Sequence, residues 1–190
     1  MRANYRTPPT HMPISDKALA VAQLVRRLSL KVGKPFYIAS AESCTGGRVA
    51  SALTGVPGAS EWFHTGVVTY TKESKRAVLG ISPKILDQGL VTEATAKAMA
   101  EAVARLTGAD YAVSTTGSAG PSASEGHPPL TVWIGVRTPL GTSAKLIERD
   151  DKGRQANQDT ATIEALTLLE EALFRDFSHI EGRDYRGFWA

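Results

Sequence analysis

The sequence predicts one α/β domain, a mixed sheet with helices on both faces, and two observations carry that expectation. Apolar periodicity switches repeatedly between the 3.6-residue repeat of an amphipathic helix and the short runs of a buried strand. One apolar run also enters a small-residue turn, Ala41-Glu42-Ser43-Cys44-Thr45-Gly46-Gly47, that leads straight into a helical pattern. Strands alternating with helices in this way favour a layered sheet.

In chain order, Leu19, Ala22, Leu24, Val25, Leu28 and Leu30 line a helix over 15–32, opened by Ser15 or Asp16 and closed by Gly33. Phe36 to Ala39 reads as a buried strand, 41–47 as the turn, and Arg48 to Leu53 as its following helix. Trp62 to Thr71 is a second strand and 71–80 a short helix. Thr92 to Leu106 is an alanine-rich helix, capped by Thr92 and ended by Gly108. Asp110 to Thr116 is a strand that runs into a loop, Gly117 to Pro129. Strands over 131–138 and 142–148 form a hairpin across Pro139-Leu140-Gly141, and a last helix covers about 155–177. The domain is therefore expected over 14–177, with a disordered leader at 1–13 and a tail at 178–190. Ile180-Glu181-Gly182-Arg183 in that tail has the form of a protease recognition sequence. Neither end enters the functional reading.

The 190 residues are 42% hydrophobic and 22% charged, enough apolar content for one core. No run reaches the ~18 consecutive apolar residues of a membrane span. A single cysteine excludes an internal disulfide and a multi-cysteine zinc site. The four histidines are scattered without metal-binding helical spacing, so no metal is expected. The net charge of +3 comes partly from the ends and accompanies no recognition motif; neither nucleic acid nor a membrane is an expected partner. A cytoplasmic location is expected.

Three stretches could carry chemistry. At 41–47 a strand gives way to a helix, where unpaired amides and the positive end of a helix dipole favour an oxyanion. Ser43 could attack a carbonyl whose oxygen is held by amides near Thr45, Gly46 and Gly47. Pattern alone equally permits Ser43 or Thr45 to be a cap and the glycines to serve close packing. Cys44 reads as a buried structural thiol, since no histidine adjoins it and strand alternation turns Ser43 and Cys44 to opposite faces. A serine needs a base, and Tyr70 and Lys75 stand where a strand hands over to a helix. A lysine acts as a base only when burial or positive neighbours lower its pKa; otherwise Lys72 and Lys75 are a solvated helix face. His64 reads as a strand residue. Thr115-Thr116-Gly117-Ser118-Ala119-Gly120-Pro121, again at a strand end, could contact a polar ligand or be an ordinary loop. Neither a dinucleotide glycine fingerprint nor a phosphate-binding Gly-Lys-Ser/Thr is present.

Taken together, AESCTGG, VPGASEWFHTGVVTYTKESK, LGIS, ADYAVSTTGSAGP and TVWIGV resemble the C-terminal domain of the competence/damage-inducible CinA family, over about Leu19 to Leu173. Stand-alone members of that family are nicotinamide-nucleotide amidases. The resemblance implies a three-layer α/β/α sandwich, a homodimer or higher oligomer, and hydrolysis of nicotinamide mononucleotide to nicotinate mononucleotide and ammonia without a cofactor. It implies Ser43 as nucleophile, Lys75 as base, and Tyr70 as the residue that orients or relays the proton. Thr45 and Thr116 would be hydroxyls near the nucleophile, Glu42 would position the turn, and Gly46, Gly47 and Gly117 would line the substrate or oxyanion site. Arg154 would help hold the substrate.

Two stretches depart from the family pattern. SASEGHPPL at 122–130 lacks the family's glycines, its lysine and the glycine before Thr131, where Leu130 stands. Asp151-Lys152-Gly153-Arg154 replaces a Gly-Asp-Arg. These loops keep two alternatives open: a nucleotide-binding or interaction module with little catalysis, and an amidase for a different ring amide.

Overall fold

The structure, a computed structural model, describes residues 13–181. A five-stranded mixed sheet runs in the order β2-β1-β3-β4-β5. The strands are β1 (Ile38–Glu42), β2 (Phe63–Val68), β3 (Tyr111–Ser118), β4 (Thr131–Thr138) and β5 (Gly141–Glu148). β1 pairs in parallel with both β2 and β3, while β3, β4 and β5 are antiparallel neighbours. The helices are α1 (Ile14–Val32), α2 (Arg48–Thr54), α3 (Lys72–Leu79), α4 (Pro83–Leu86), α5 (Glu93–Thr107) and α6 (Arg154–Glu181). One apolar cluster joins α1, α2 and α6 to the sheet; a second joins the other face to α3, α4 and α5. This is the three-layer α/β/α arrangement that was expected.

Strand alternation divides the sheet cleanly between those clusters. On β1, Ile38 belongs to the α1/α2/α6 cluster, and Ala39 and Ala41 to the α5 cluster. On β3, Tyr111 and Val113 face the first and Ala112 the second. Gly135 on β4 lies directly under α5, where an added Cβ would collide with the Ala96 carbonyl. That close approach fixes α5 across the centre of the sheet.

The element borders shift for identifiable reasons. β1 begins at Ile38 and continues through Glu42, because β2 and β3 flank it on both sides and keep its backbone paired. β2 is confined to Phe63–Val68, since Thr71 is already the cap of α3, accepting from the Ser74 amide. Within 81–91, which shows no clear periodicity, Ser82 caps the one-turn α4 with Pro83 at its first position. α6 extends past 177 to Glu181, because Phe177 and Ile180 lie one turn apart on its buried face. The last helix, expected to end at about 177, therefore runs on to Glu181. The leader falls outside the described residues except for Pro13, and so does the tail beyond 181. Among the described residues, no helix is long and apolar enough to cross a membrane.

Candidate active site

The carboxyl ends of the three parallel strands converge on one cleft, and each strand end delivers one part of it. The 42–50 turn follows β1. Strand alternation puts Glu42 on the α2 side, where its carboxylate accepts the amides of Gly47 (3.0 Å), Val49 (3.1 Å) and Ala50 (2.8 Å) and the hydroxyl of Thr45 (2.7 Å). Gly46 and Gly47 permit the turn by adopting φ of +61° and +95°. Ser43 still pairs with β3, its amide donating to the Thr115 carbonyl (3.0 Å), and it faces the opposite side from Glu42. Cys44 returns to the α1/α2/α6 cluster. Burial pushes its thiol up to about 12, which keeps it protonated and inert, as expected for a structural cysteine.

The second part follows β2. Lys75 on α3 is fully buried, and its Nζ donates to the Thr69 carbonyl (2.7 Å) and to Ser43 Oγ (2.9 Å). Desolvation lowers the Lys75 pKa from 10.5 to about 8, against a smaller upward pull from the Glu125 carboxylate. The solvated-face alternative holds for Lys72, which is exposed and paired with Asp87, and fails for Lys75. His64 sits on the exposed strand edge with Nδ1 against the Thr65 hydroxyl, remote in role from the cleft. A serine hydroxyl within hydrogen-bond reach of a desolvated amine is the geometry of an activated nucleophile.

The third part is the end of β3 with its following loop and the start of α6. A cleft of about 180 Å³ is bounded by Ser43, Lys75, Leu90, Val91, Ser118 and Arg154, with Tyr70, Thr116, Gly117, Ser122 and Ser124 on its walls. It is smaller than the ~300–1,000 Å³ typical of pockets for drug-sized ligands.

The cleft gathers Ser43, Tyr70, Lys75, Thr116, Gly117 and Arg154 and leaves Glu42, Thr45, Gly46 and Gly47 out of its lining. Glu42 organises the turn instead of touching a ligand. Thr45 is buried behind the nucleophile, between Glu42 and the Thr115 hydroxyl (2.7 Å). The Gly46 amide is committed to the Ser43 carbonyl and the Gly47 amide to Glu42, so neither is a spare oxyanion donor. The Cys44 amide lies against its own sulfur, and the Thr45 amide has no acceptor among the described residues. Thr116 gives its hydroxyl to the Leu90 carbonyl (2.7 Å). Gly117 is required by packing, because a Cβ there would strike Val132. Tyr70 is about half exposed, and its hydroxyl accepts from Arg154 Nη2 at 2.6 Å, on the rim and away from the proton path between Ser43 and Lys75. Arg154 Nη1 donates to the Gly120 carbonyl, so one guanidinium ties α6 to two sides of the cleft.

Three contributors escape a reading of the sequence. Thr115 supports the Ser43 amide and Thr45 from β3; Gln158 on α6 donates to the Cys44 carbonyl (2.8 Å); and the Thr69 carbonyl seats Lys75. Only Thr115 lies in a stretch with a visible signal. Among the described residues, no group of three or more histidine, cysteine or acidic side chains could hold a metal ion.

These features define a class: a three-layer α/β/α domain with a buried serine–lysine pair at the carboxyl end of its parallel strands. The CinA C-terminal domain profile matches residues 20–173, and the chain belongs to that family. A CinA-like protein of Desulfosudis oleivorans is 40% identical over 161 residues, covering 84% of this chain and 38% of its own length. One from Shewanella denitrificans is 40% identical over 140 residues, covering 73% and 33%. The chain thus spans between about a third and two-fifths of the length of these curated relatives. A crystal structure of a CinA superfamily protein from Klebsiella pneumoniae superposes with a TM-score of 0.79 at 30% identity, covering 86% of this chain and 99% of that one. A competence/damage-inducible protein from Agrobacterium tumefaciens gives 0.76 at 30% identity, covering 88% and 99%.

Proposed function

We propose that this chain is a serine amidohydrolase that converts nicotinamide mononucleotide to nicotinate mononucleotide and ammonia. The observation that carries the reading is the 2.9 Å contact between Lys75 Nζ and Ser43 Oγ, with desolvation bringing the amine to about 8. Neutral Lys75 takes the hydroxyl proton as Ser43 Oγ bonds to the carboxamide carbon. The oxyanion so formed turns to the start of the turn, where the Thr45 amide has no acceptor among the described residues. Lys75 returns the proton to the departing nitrogen, ammonia leaves, and an ester on Ser43 remains. Water then adds to that ester, giving its proton to Lys75; Lys75 passes it to Ser43 Oγ as that bond breaks, releasing the product acid, which ionises to the carboxylate, and leaving free Ser43 and neutral Lys75. The ring occupies the cleft, and the phosphate end reaches the Arg154–Tyr70 rim.

The sign of the pH dependence follows from a lysine whose active form is neutral. Activity falls as pH drops through about 8, because protonated Lys75 cannot accept the serine proton; a kcat/KM profile flat from pH 6 to 9 would contradict the role. The decisive experiment compares ammonia release by wild type and Ser43→Ala, with circular dichroism showing both folded. Loss in the mutant supports the reading, and full activity there overturns it. The changed loop at 122–130 keeps a different ring amide as a second reading. A panel of pyridine carboxamides, with and without ribose phosphate, separates the two.

A further inference from the structure

We infer that Glu125 is a specificity-determining positioning residue: it holds the Leu90–Val91 wall of the cleft at the width that admits a flat, neutral carboxamide. This rests on the reading of the cleft as an amidase site.

Leu90 and Val91 line the cleft from a segment, 87–92, that belongs to no helix or strand. Their backbone therefore has no ladder to fix it and depends on side chains from elsewhere. Glu125 Oε2 accepts both amides, Leu90 at 2.7 Å and Val91 at 3.0 Å. Thr116 holds the Leu90 carbonyl (2.7 Å), and the Thr95 hydroxyl holds the Gly89 carbonyl (2.8 Å). Without Glu125 the two amides lose their acceptor, and the wall is anchored through carbonyls alone.

The backbone at Glu125 points the same way. Ser124 and His127 exchange backbone hydrogen bonds, amide to carbonyl in each direction, at 3.0 and 2.9 Å around a two-residue tip. Both tip residues have positive φ, Glu125 at +50° and Gly126 at +79°, the conformation of a type I′ turn. Glycine and asparagine are at ease there; glutamate is not. A strained conformation retained next to a cleft is a mark of function. The turn presents the carboxylate to the Leu90 and Val91 amides while Ser122 and Ser124, on the same loop, line the cleft. The loop thus sets one wall and contributes hydroxyls to another.

Charge adds a direction. The Glu125 carboxylate sits on the Leu90–Val91 backbone, near enough to act on Lys75, and the Arg154 guanidinium lies at the rim. A ligand with a neutral head and an anionic tail fits that polarity. A head bearing a carboxylate, as in the product, meets the Glu125 field.

The test measures the wall and the ligand separately. Amide hydrogen exchange at Leu90 and Val91 is expected to speed up at least tenfold in Glu125→Ala and to remain near wild type in Glu125→Gln, which keeps an acceptor oxygen. In a Ser43→Ala background, the Kd for nicotinamide mononucleotide is expected to weaken about tenfold with Glu125→Ala and to be largely rescued by Glu125→Gln; in active enzyme the same change appears in KM with kcat within about threefold. Glu125→Gly relieves the strained φ, so an unchanged or raised Tm together with the weakened Kd separates the latch from folding. Unchanged exchange at Leu90 and Val91 in Glu125→Ala overturns the proposal whatever the ligand. So does an unchanged Kd. A Ser43→Ala parent that binds no nicotinamide mononucleotide, with exchange at the wall accelerated as expected, overturns the substrate reading instead and leaves Glu125 as the wall's anchor.

Discussion

The 42–50 turn and the 69–75 corner each bury a charge-bearing side chain at the end of a parallel strand, and they treat it in opposite ways. Glu42 receives four hydrogen bonds, so its burial is fully compensated and the turn is rigid. Lys75 has a backbone carbonyl and a serine hydroxyl, and no carboxylate bonds to it among the described residues. Its ammonium form is undercompensated, which is what moves its pKa down. One site buries charge to hold shape. The other leaves it short of partners, which lowers its hold on a proton.

The contrast is broken or sharpened by substitutions in each region. Lys75→Met fills the same volume without the amine; turnover is expected to fall about a thousandfold or more while thermal stability stays level or rises. A Tm lower by several degrees would show that Lys75 is structural after all. Glu42→Ala does the reverse, leaving three amides and a hydroxyl without their acceptor, at a cost of about 3 kcal/mol in urea unfolding. Unchanged stability there would erase the distinction. Gln158→Ala frees the Cys44 carbonyl and loosens the adjoining peptide. Turnover is expected to drop about tenfold, or about 1.4 kcal/mol in the barrier, with KM little changed. Leu130→Gly acts outside both regions and calibrates them. Leu130 adopts φ of +60° yet is buried in the core, so relief of about 1 kcal/mol in the backbone opposes a loss of about 2–3 kcal/mol in burial. Equilibrium unfolding should show a net loss of about 1–2 kcal/mol and no change in turnover.

The layers were legible because alternation and helical periodicity are local, and so was the turn at 41–47, whose glycines announce a positive φ. Cys44 as a buried thiol followed from the same alternation that separates it from Ser43. Lys75 was different. Its place where a strand hands over to a helix made it a candidate, but composition treats it like Lys72, three residues away, and the family resemblance was needed to choose it, because burial is decided by how α3 meets the sheet. Thr116 was carried over as a hydroxyl near the nucleophile; alternation along β3 puts it on the Ser43 face, where it lines the cleft with its hydroxyl on the Leu90 carbonyl, and puts Thr115 on the Glu42 face against Thr45. Tyr70 lies in the right segment, but Arg154, distant in sequence, draws its hydroxyl to the rim. Gln158 and Glu125 act on backbone groups far along the chain, and a sequence carries no local trace of such a contact.

The longest of these contacts also sets an order of events. Gln158 reaches back 114 residues to Cys44, and Asp176 reaches 65 to the Tyr111 hydroxyl at the start of β3. Closing such long loops is slow relative to the local contacts of α2 or α5. A nascent chain emerging from the ribosome therefore makes Ser43 early and completes the turn around it last, when the final helix docks. Until then the cleft lacks the wall that Arg154 supplies.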